Sequence, residues 1–359
     1  MKKRILSVIL AAALCISMLS FMGCGKKSSN ELAAGGKYKG QELNCFLWPE
    51  YIPDSVISDF EEKYGCKVNV STYSSNEEML SKFQNSAAGT YDIVNPSDYM
   101  VEYMIKQKLL AKLDKDKLTN YKNLDEQYLG QFYDKNNEYS VPFAPGEIAI
   151  GYVKDEVKED VKGFDILFKP EYKSSIIVLD DPKIVIGMVN QSLGYSLNET
   201  DKNKLEKTNE KLQKFKENVY SLKFEGTQEM LLSGECKLGY IFNGNIALAQ
   251  MEDDNIGVCF PETGSYKWID NLCIPANSKK QELANEFINY ILDADVDCKI
   301  RTEIPSTSPN KAGWEKVDES LRDTALSIPE ESWNNSEYAA NLDEAVNKIY
   351  NDMYAAFTK

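Results

Sequence analysis

The sequence predicts an α/β fold built as two successive lobes. Short β-branched runs alternate with stretches at helical spacing, the mark of βαβ units around a mainly parallel sheet. The rhythm runs through residues 43–108, breaks over a polar, loop-rich stretch at 120–137, and resumes from 148. A chain of 359 residues with an ordinary 43% hydrophobic content is also long enough for two domains or one large two-lobed unit.

In chain order, residues 1–23 read as an export signal. Lys2, Lys3 and Arg4 precede an apolar run at 5–19 and then Ser20-Phe21-Met22-Gly23-Cys24. Secretory signals end in a small-x-small site; a Gly directly before a Cys resembles a lipobox, with Cys24 becoming the acylated first residue of a bacterial lipoprotein. Phe21 departs from the aliphatic residue usual three positions earlier. Residues 24–40 are small and polar, a flexible tether. No other stretch has the length of a spanning helix, so the protein is expected on the extracytoplasmic side, held to the cell membrane by lipid. Losing the three basic residues moves the formal net charge from −15 to −18. That acidity argues against nucleic acid and against adhesion to anionic lipid by charge.

The first lobe is predicted as a strand over 43–47, a helix over 54–64 with Val56, Ile57, Phe60 and Tyr64 on one face and Gly65 as its stop, and a strand over 67–73. A helix from 76 carries Met79, Leu80 and Phe83 and ends before Gly89. A short strand at 92–94 leads to a helix ending near 108, and 138–143 is extended. The second lobe opens at the apolar run 148–153. Its elements are a strand over 176–179, helices over 184–193, 200–216 and 228–232, and a strand over 238–242 closed by a turn at Asn243-Gly244. Strands over 257–260 and 266–274 follow, then a helix to 292, an irregular stretch with Pro305 and Pro309, and a terminal helix over 342–357.

Histidine is absent, which removes the commonest general base, the commonest metal ligand and every Ser-His or Cys-His system. No CxxC occurs, and neither a metal nor a cofactor is expected. Cys45, Cys259 and Cys273 fall in strand-like runs, where Cys behaves as a small buried hydrophobe; with Cys66, Cys236 and Cys298 they read as free thiols rather than disulfides, although an exported protein could pair some of them.

Ligands of open α/β sheets sit at loops beyond the carboxyl ends of strands. Four loops here carry an aromatic ring, a carboxylate or both: Trp48-Pro49-Glu50-Tyr51, Pro96-Ser97-Asp98-Tyr99, Leu179-Asp180-Asp181-Pro182 and Trp268-Ile269-Asp270. Rings with carboxylates are the equipment for holding an organic cation. Trp48 and Tyr51 could equally cap the core.

At this point the chain resembles the extracytoplasmic spermidine/putrescine-binding proteins of ABC transporters. The resemblance runs from about Leu43 nearly to the C-terminus, on Trp48-Pro49-Glu50-Tyr51-Ile52-Pro53, Tyr91-Asp92-Ile93-Val94-Asn95-Pro96-Ser97, Lys169-Pro170-Glu171-Tyr172-Lys173, the run Trp268-Ile269-Asp270-Asn271-Leu272-Cys273-Ile274-Pro275-Ala276, and Thr307-Ser308-Pro309-Asn310. It implies a two-lobed type II periplasmic-binding-protein fold with a ligand cleft between the lobes. Residues 41–144 would form the N-terminal lobe and 145–265 the C-terminal lobe. Residues 266–305 would return to the first, and 306–359 would pack mostly on the second. Crossing strands near 143–148 and 266–270 would join the lobes.

By the same resemblance Trp48, Tyr51, Tyr99 and Trp268 would wall the methylene chain of a polyamine, with Phe242 where the family usually has another indole. Glu50, Asp181 and Asp270 would pair with its ammonium groups, and Ser97 would offer hydroxyl or amide contacts. The partners implied are a polyamine (spermidine or putrescine) and a membrane permease, with the protein a monomer and not an enzyme.

Plainer readings stand beside these. Ser97 could simply N-cap the next helix, Asp98 is expected in solvent, and Phe242 could be core. Either Asp180 or Asp181 could be the one that caps or turns. Glu147 is an additional carboxylate that could supply a replacement charge. The chain has Ile184 and Val185 where the family often carries a carboxylate, Ser306 in place of a tyrosine and Ala340 near a missing amide. The same fold holding another organic cation, a lipid-anchored hydrolase using two carboxylates and an adhesive surface protein are the competing functions. Ferric iron suits the residues less, with no adjacent tyrosine pair.

Overall fold

The computed structural model describes residues 36–359; the export signal, Cys24 and most of the tether lie outside the described residues. The first lobe opens with β1 (Glu42–Leu47), α1 (Asp54–Tyr64), β2 (Lys67–Thr72), α2 (Asn76–Asn85), β3 (Ile93–Val94) and α3 (Asp98–Lys106). β1 lies between β2 and β3, parallel to both. Its apolar run is explained by burial on both faces. Leu43 and Cys45 join the core that holds Phe60, Phe287 and Ile288, while Phe46 joins the opposite core with Met79, Val94 and Met104. Gly65 ends α1 at φ 71°, the left-handed cap conformation glycine adopts without strain.

β4 (Ser140–Val153) then leaves this lobe and enters the next. In the second lobe come β5 (Ile176–Val178), α4 (Pro182–Gln191), α5 (Lys202–Phe215), β6 (Val219–Leu222), α6 (Thr227–Leu232), β7 (Leu238–Phe242), α7 (Asn243–Glu252) and β8 (Ile256–Cys259). β9 (Tyr266–Cys273) returns to the first sheet, antiparallel to both β3 and β4. The strand order is β2-β1-β3-β9-β4-β7-β5-β6, with β8 added on β4 and the short β10 (Glu337–Tyr338) on β9. Helices α8 (Gln281–Ile291) and α9 (Ala294–Glu303) thicken the first-lobe core, and the terminal helix α10 (Glu344–Thr358) adds Val346, Tyr350, Met353 and Phe357 to the second.

Three departures from the sequence reading have local causes. The segments at 138–143 and 148–153 are one 14-residue strand. Pro142, Pro145 and Gly146 look like punctuation, but a register shift between Pro142 and Ala144 takes up the irregularity and the strand continues. Asn243-Gly244 does not close a turn; it starts α7, whose alanines and scattered apolar residues give little periodicity. β6 is a half-exposed strand at the edge of the sheet and has no continuous apolar run to announce it.

The six cysteines of the described residues are free, five of them buried. Among the described residues no helix is long and apolar enough to cross a membrane, and no cluster suits a metal ion.

Candidate functional site

Between the lobes lies a cavity of about 830 Å³, within the range that encloses a small molecule. Three of the four predicted loops reach it, and the fourth segment, Trp268-Ile269-Asp270, reaches it from within β9, where pairing with β4 keeps it extended. The β1–α1 loop turns sharply at Glu50, whose φ of 55° is in the left-handed region that few non-glycine residues occupy. Trp48, Glu50 and Tyr51 thereby line one cavity.

Asp270, on β9, is the most enclosed carboxylate there, 3% exposed. Its Oδ2 accepts a hydrogen bond from the Tyr51 hydroxyl at 2.7 Å and its Oδ1 one from Ser97 Oγ at 2.5 Å. Burial pushes its carboxyl up to about 6, against the opposing pull of Ser97, Tyr51 and the Trp268 and Trp48 indoles. Trp48 Nε1 is buried without a well-formed hydrogen bond of its own. Ser97 sits at the N-cap of α3 but its side chain does not cap. The hydroxyl goes to Asp270 and accepts from Asn76 Nδ2 at 2.9 Å, while the Ser97 amide donates to Asn76 Oδ1.

Asp98, expected in solvent, is buried. It accepts from the Ile269 amide at 3.1 Å and the Tyr99 amide at 2.7 Å, so it ties α3 to β9 behind the cleft. Desolvation, aided by the Asp270 charge, pushes its carboxyl up to about 7. Tyr99 lines the cavity and donates to Glu77 Oε1 at 3.0 Å.

The second-lobe wall is built around α4 and β7. Asp181 both caps α4, its Oδ1 accepting from the Lys183 and Ile184 amides at 2.7 and 3.0 Å, and lines the cavity. Asp180 is exposed, bonded to the Tyr354 hydroxyl, and is not a lining residue. Phe242 is half-buried and packs edge-on against Trp268, ring centroids 5.2 Å apart, with both rings lining the cavity. The indole packs against Gly146, its cross-strand partner on β4; a Cβ there would overlap the ring.

That register also decides Glu147, which does not supply an additional carboxylate to the cleft. Cross-strand partners share a face of the sheet. Gly146 is opposite Trp268 and faces the cavity; Glu147 is opposite Lys267 and faces the other way. It is fully buried, accepts from Ser332 Oγ at 2.6 Å, and leaves its other oxygen without a partner. Burial pushes its carboxyl up to about 7.

The fold around this cleft matches known proteins along nearly its whole length. The family model of the bacterial extracellular solute-binding proteins matches residues 55–312. The chain belongs to that family. Spermidine/putrescine-binding periplasmic proteins of Salmonella typhimurium and Escherichia coli are each 36% identical to it, over 86% and 92% of this chain and 94% and 97% of their own. The crystal structure of a spermidine/putrescine ABC transporter substrate-binding protein from Streptococcus pneumoniae superposes with a TM-score of 0.82 at 30% identity, covering 89% of this chain and 98% of that one. A lipoprotein of Treponema pallidum superposes with a TM-score of 0.77 at 25% identity, over 88% and 99% of the two chains. The two-lobed type II periplasmic-binding-protein architecture is therefore that of this solute-binding protein.

Several lining residues escaped the sequence reading. Glu77 sits in the first turn of α2, where an acidic residue reads as a generic complement to the helix N-terminus. Tyr266 looks like the start of a strand, and Phe224 like a surface ring after β6. Asn341 lines the cavity one position after Ala340, so the amide missing at 340 is supplied by its neighbour.

Proposed function

We propose that this solute-binding protein captures a polyamine, spermidine or putrescine, between its lobes and delivers it to the permease of an ABC importer. The observation that carries the reading is Asp270: a buried carboxylate with both oxygens oriented by Tyr51 and Ser97, facing a cavity walled by Trp48, Tyr99, Phe242 and Trp268.

A polyamine alternates methylene runs with strongly hydrated ammonium groups. Binding it requires carboxylates to replace water at the charges and rings to cover the carbon between them. A ring face over a cation contributes about 0.5–2 kcal/mol, and truncating one partner of a buried charge pair costs about 2–5 kcal/mol. Asp270 would hold one ammonium in place, Glu50 would meet further charge, and the rings would exclude water. Ser97 would act through Asp270, its hydroxyl already committed there. The relatives named for spermidine and putrescine support the same ligand class.

In this reading the lobes are residues 41–144 with 266–305, and 145–265 with most of 306–359, although Ile328 and Trp333 pack against the first-lobe core. β4 passes unbroken between them and would flex on closure. The protein would work as a monomer outside the cytoplasm, anchored by lipid on Cys24; the Treponema relative being a lipoprotein supports that anchor. No covalent step is required, and the protein is not an enzyme.

Calorimetric titration of the mature chain with putrescine, spermidine and spermine, beside Asp270→Ala, tests this. Micromolar or tighter binding of one amine, lost in the variant, is expected. A folded protein that binds neither these three amines nor any derivative of them would end the polyamine reading.

A further inference from the structure

The two walls of the cleft differ in charge. On the first-lobe side Glu50, Glu77 and Asp270 line the cavity. The cation on that side, Arg301, is committed: it pairs with Asp297 at 3.2 Å and donates to Ser306 Oγ at 2.8 Å and to the Phe143 carbonyl at 2.7 Å. The second-lobe wall has one carboxylate, Asp181, with one oxygen occupied by the α4 amides. Lys183 lines the same wall two residues later, and among the described residues its ammonium reaches only the Ala340 carbonyl, at 3.5 Å. That wall is therefore formally neutral, one charge of each sign standing side by side.

Beside those two charges, the residues of the C-terminal segment that line the cavity are uncharged and hydrogen-bonding. The side chains of Asn341 and Asn351 line the cavity and make no hydrogen bond among the described residues, and Asn347 keeps its Oδ1 free while its Nδ2 donates to the Leu342 carbonyl. An amide side chain can donate and accept at once. Ile184 adds an apolar surface beside them.

We infer that the ligand is an amine carrying an ammonium at one end and an acyl amide at the other, an N-acylated polyamine. The inference rests on the polyamine reading of the same cleft and narrows it. The ammonium end belongs with Asp270 and the acidic wall. A second ammonium placed at the far wall would face Lys183, and like charges brought together out of water are strongly disfavoured. A carboxylate placed there would face Asp181. An acyl amide meets neither penalty: its carbonyl accepts from Lys183 or an asparagine Nδ2, its N–H donates to a free asparagine Oδ1, and its methyl lies against Ile184. A site that hydrogen-bonds such a group discriminates sharply against a ligand that lacks it, because its own polar groups are then left unpaired.

The test is a set of paired calorimetric titrations of the mature protein at neutral pH: putrescine against N-acetylputrescine, and spermidine against N8-acetylspermidine, each repeated with Lys183→Gln. In the wild type the acetylated member of at least one pair should bind about tenfold tighter than its parent. In the variant, with the lone cation gone, the parent amines should gain and that preference should shrink at least fivefold. Parent amines that bind the wild type as tightly as their acetylated forms, or tighter, overturn this inference and leave the polyamine function standing. A folded wild-type protein that binds none of the four ligands overturns both. The wild-type comparison decides the matter even if the variant is poorly folded.

Discussion

Asp270 and Glu147 are two buried carboxylates on paired strands, and the contrast between them shows how this fold separates a binding charge from a structural one. Burial raises both, to about 6 and about 7. Asp270 faces the cleft with both oxygens in hydrogen bonds from Tyr51 and Ser97. Glu147 lies on the reverse face with Lys267, one oxygen bonded to Ser332 and the other bare. The pleat alone assigns them: a shift of one residue along β4 exchanges the faces. A carboxylate near a cleft in sequence is thus a binding group only if the strand register turns it inward.

The contrast is sharpest in ligand affinity. Asp270→Ala should weaken amine binding by about 30- to 5,000-fold, corresponding to roughly 2–5 kcal/mol, with isothermal titration as the readout; a loss under threefold would remove Asp270 from the ligand's charge pairing. Lowering the pH titrates the same group. The cation binds the deprotonated carboxylate, and Asp270 titrates near 6, so affinity should be flat above about pH 7 and fall by up to tenfold per unit below about pH 6. Asp270→Asn should abolish that slope along with most of the affinity.

Gly146→Ala disturbs the cleft face without touching a charge. The new methyl group would push the Trp268 ring off its seat, and affinity should drop about three- to thirtyfold while stability changes less than in a core truncation, read by titration and thermal melting together. Glu147→Gln should leave affinity within twofold and act on stability instead. A carboxyl whose folded value lies near 7 against 4.5 unfolded contributes stability that is full below pH 4.5 and is lost as pH rises to 7. The amide removes that loss, so the variant should gain at most about 3 kcal/mol over wild type at pH 8 and little at pH 4. A large affinity change in this variant would contradict its placement behind the cleft.

Much of the fold was legible because its elements carry strong local signals. The face of Val56, Ile57 and Phe60 with Gly65 beyond it marks α1 residue by residue, and the apolar run at 238–242 coincides with β7. The loops after β1, β3 and β5 that line the cleft were legible for the same reason, since each follows a recognisable strand. What was not legible depends on pairing between distant segments. The burial of Asp98 comes from the Ile269 amide, 171 residues away, and Glu147 is turned aside by the register of β4 against β9. Tertiary context of this kind leaves no trace in periodicity. Glu77 shows the same limit from the other side: its position in a first helical turn gave it an ordinary explanation, and only the approach of Tyr99 sets it at the cleft.

The free thiols have a practical consequence. Cys45, Cys66, Cys236, Cys259 and Cys273 are buried, and Cys298 on α9 is the one partly exposed thiol among the described residues. Burial pushes the Cys45 and Cys273 thiols far above their ordinary value, so they hold their protons and react slowly with electrophiles. Of these six thiols, a maleimide dye applied to the native protein should therefore attach mainly at Cys298, on the first lobe. Among the described residues Cys298 thus offers a single attachment point from which lobe movement could be followed by fluorescence.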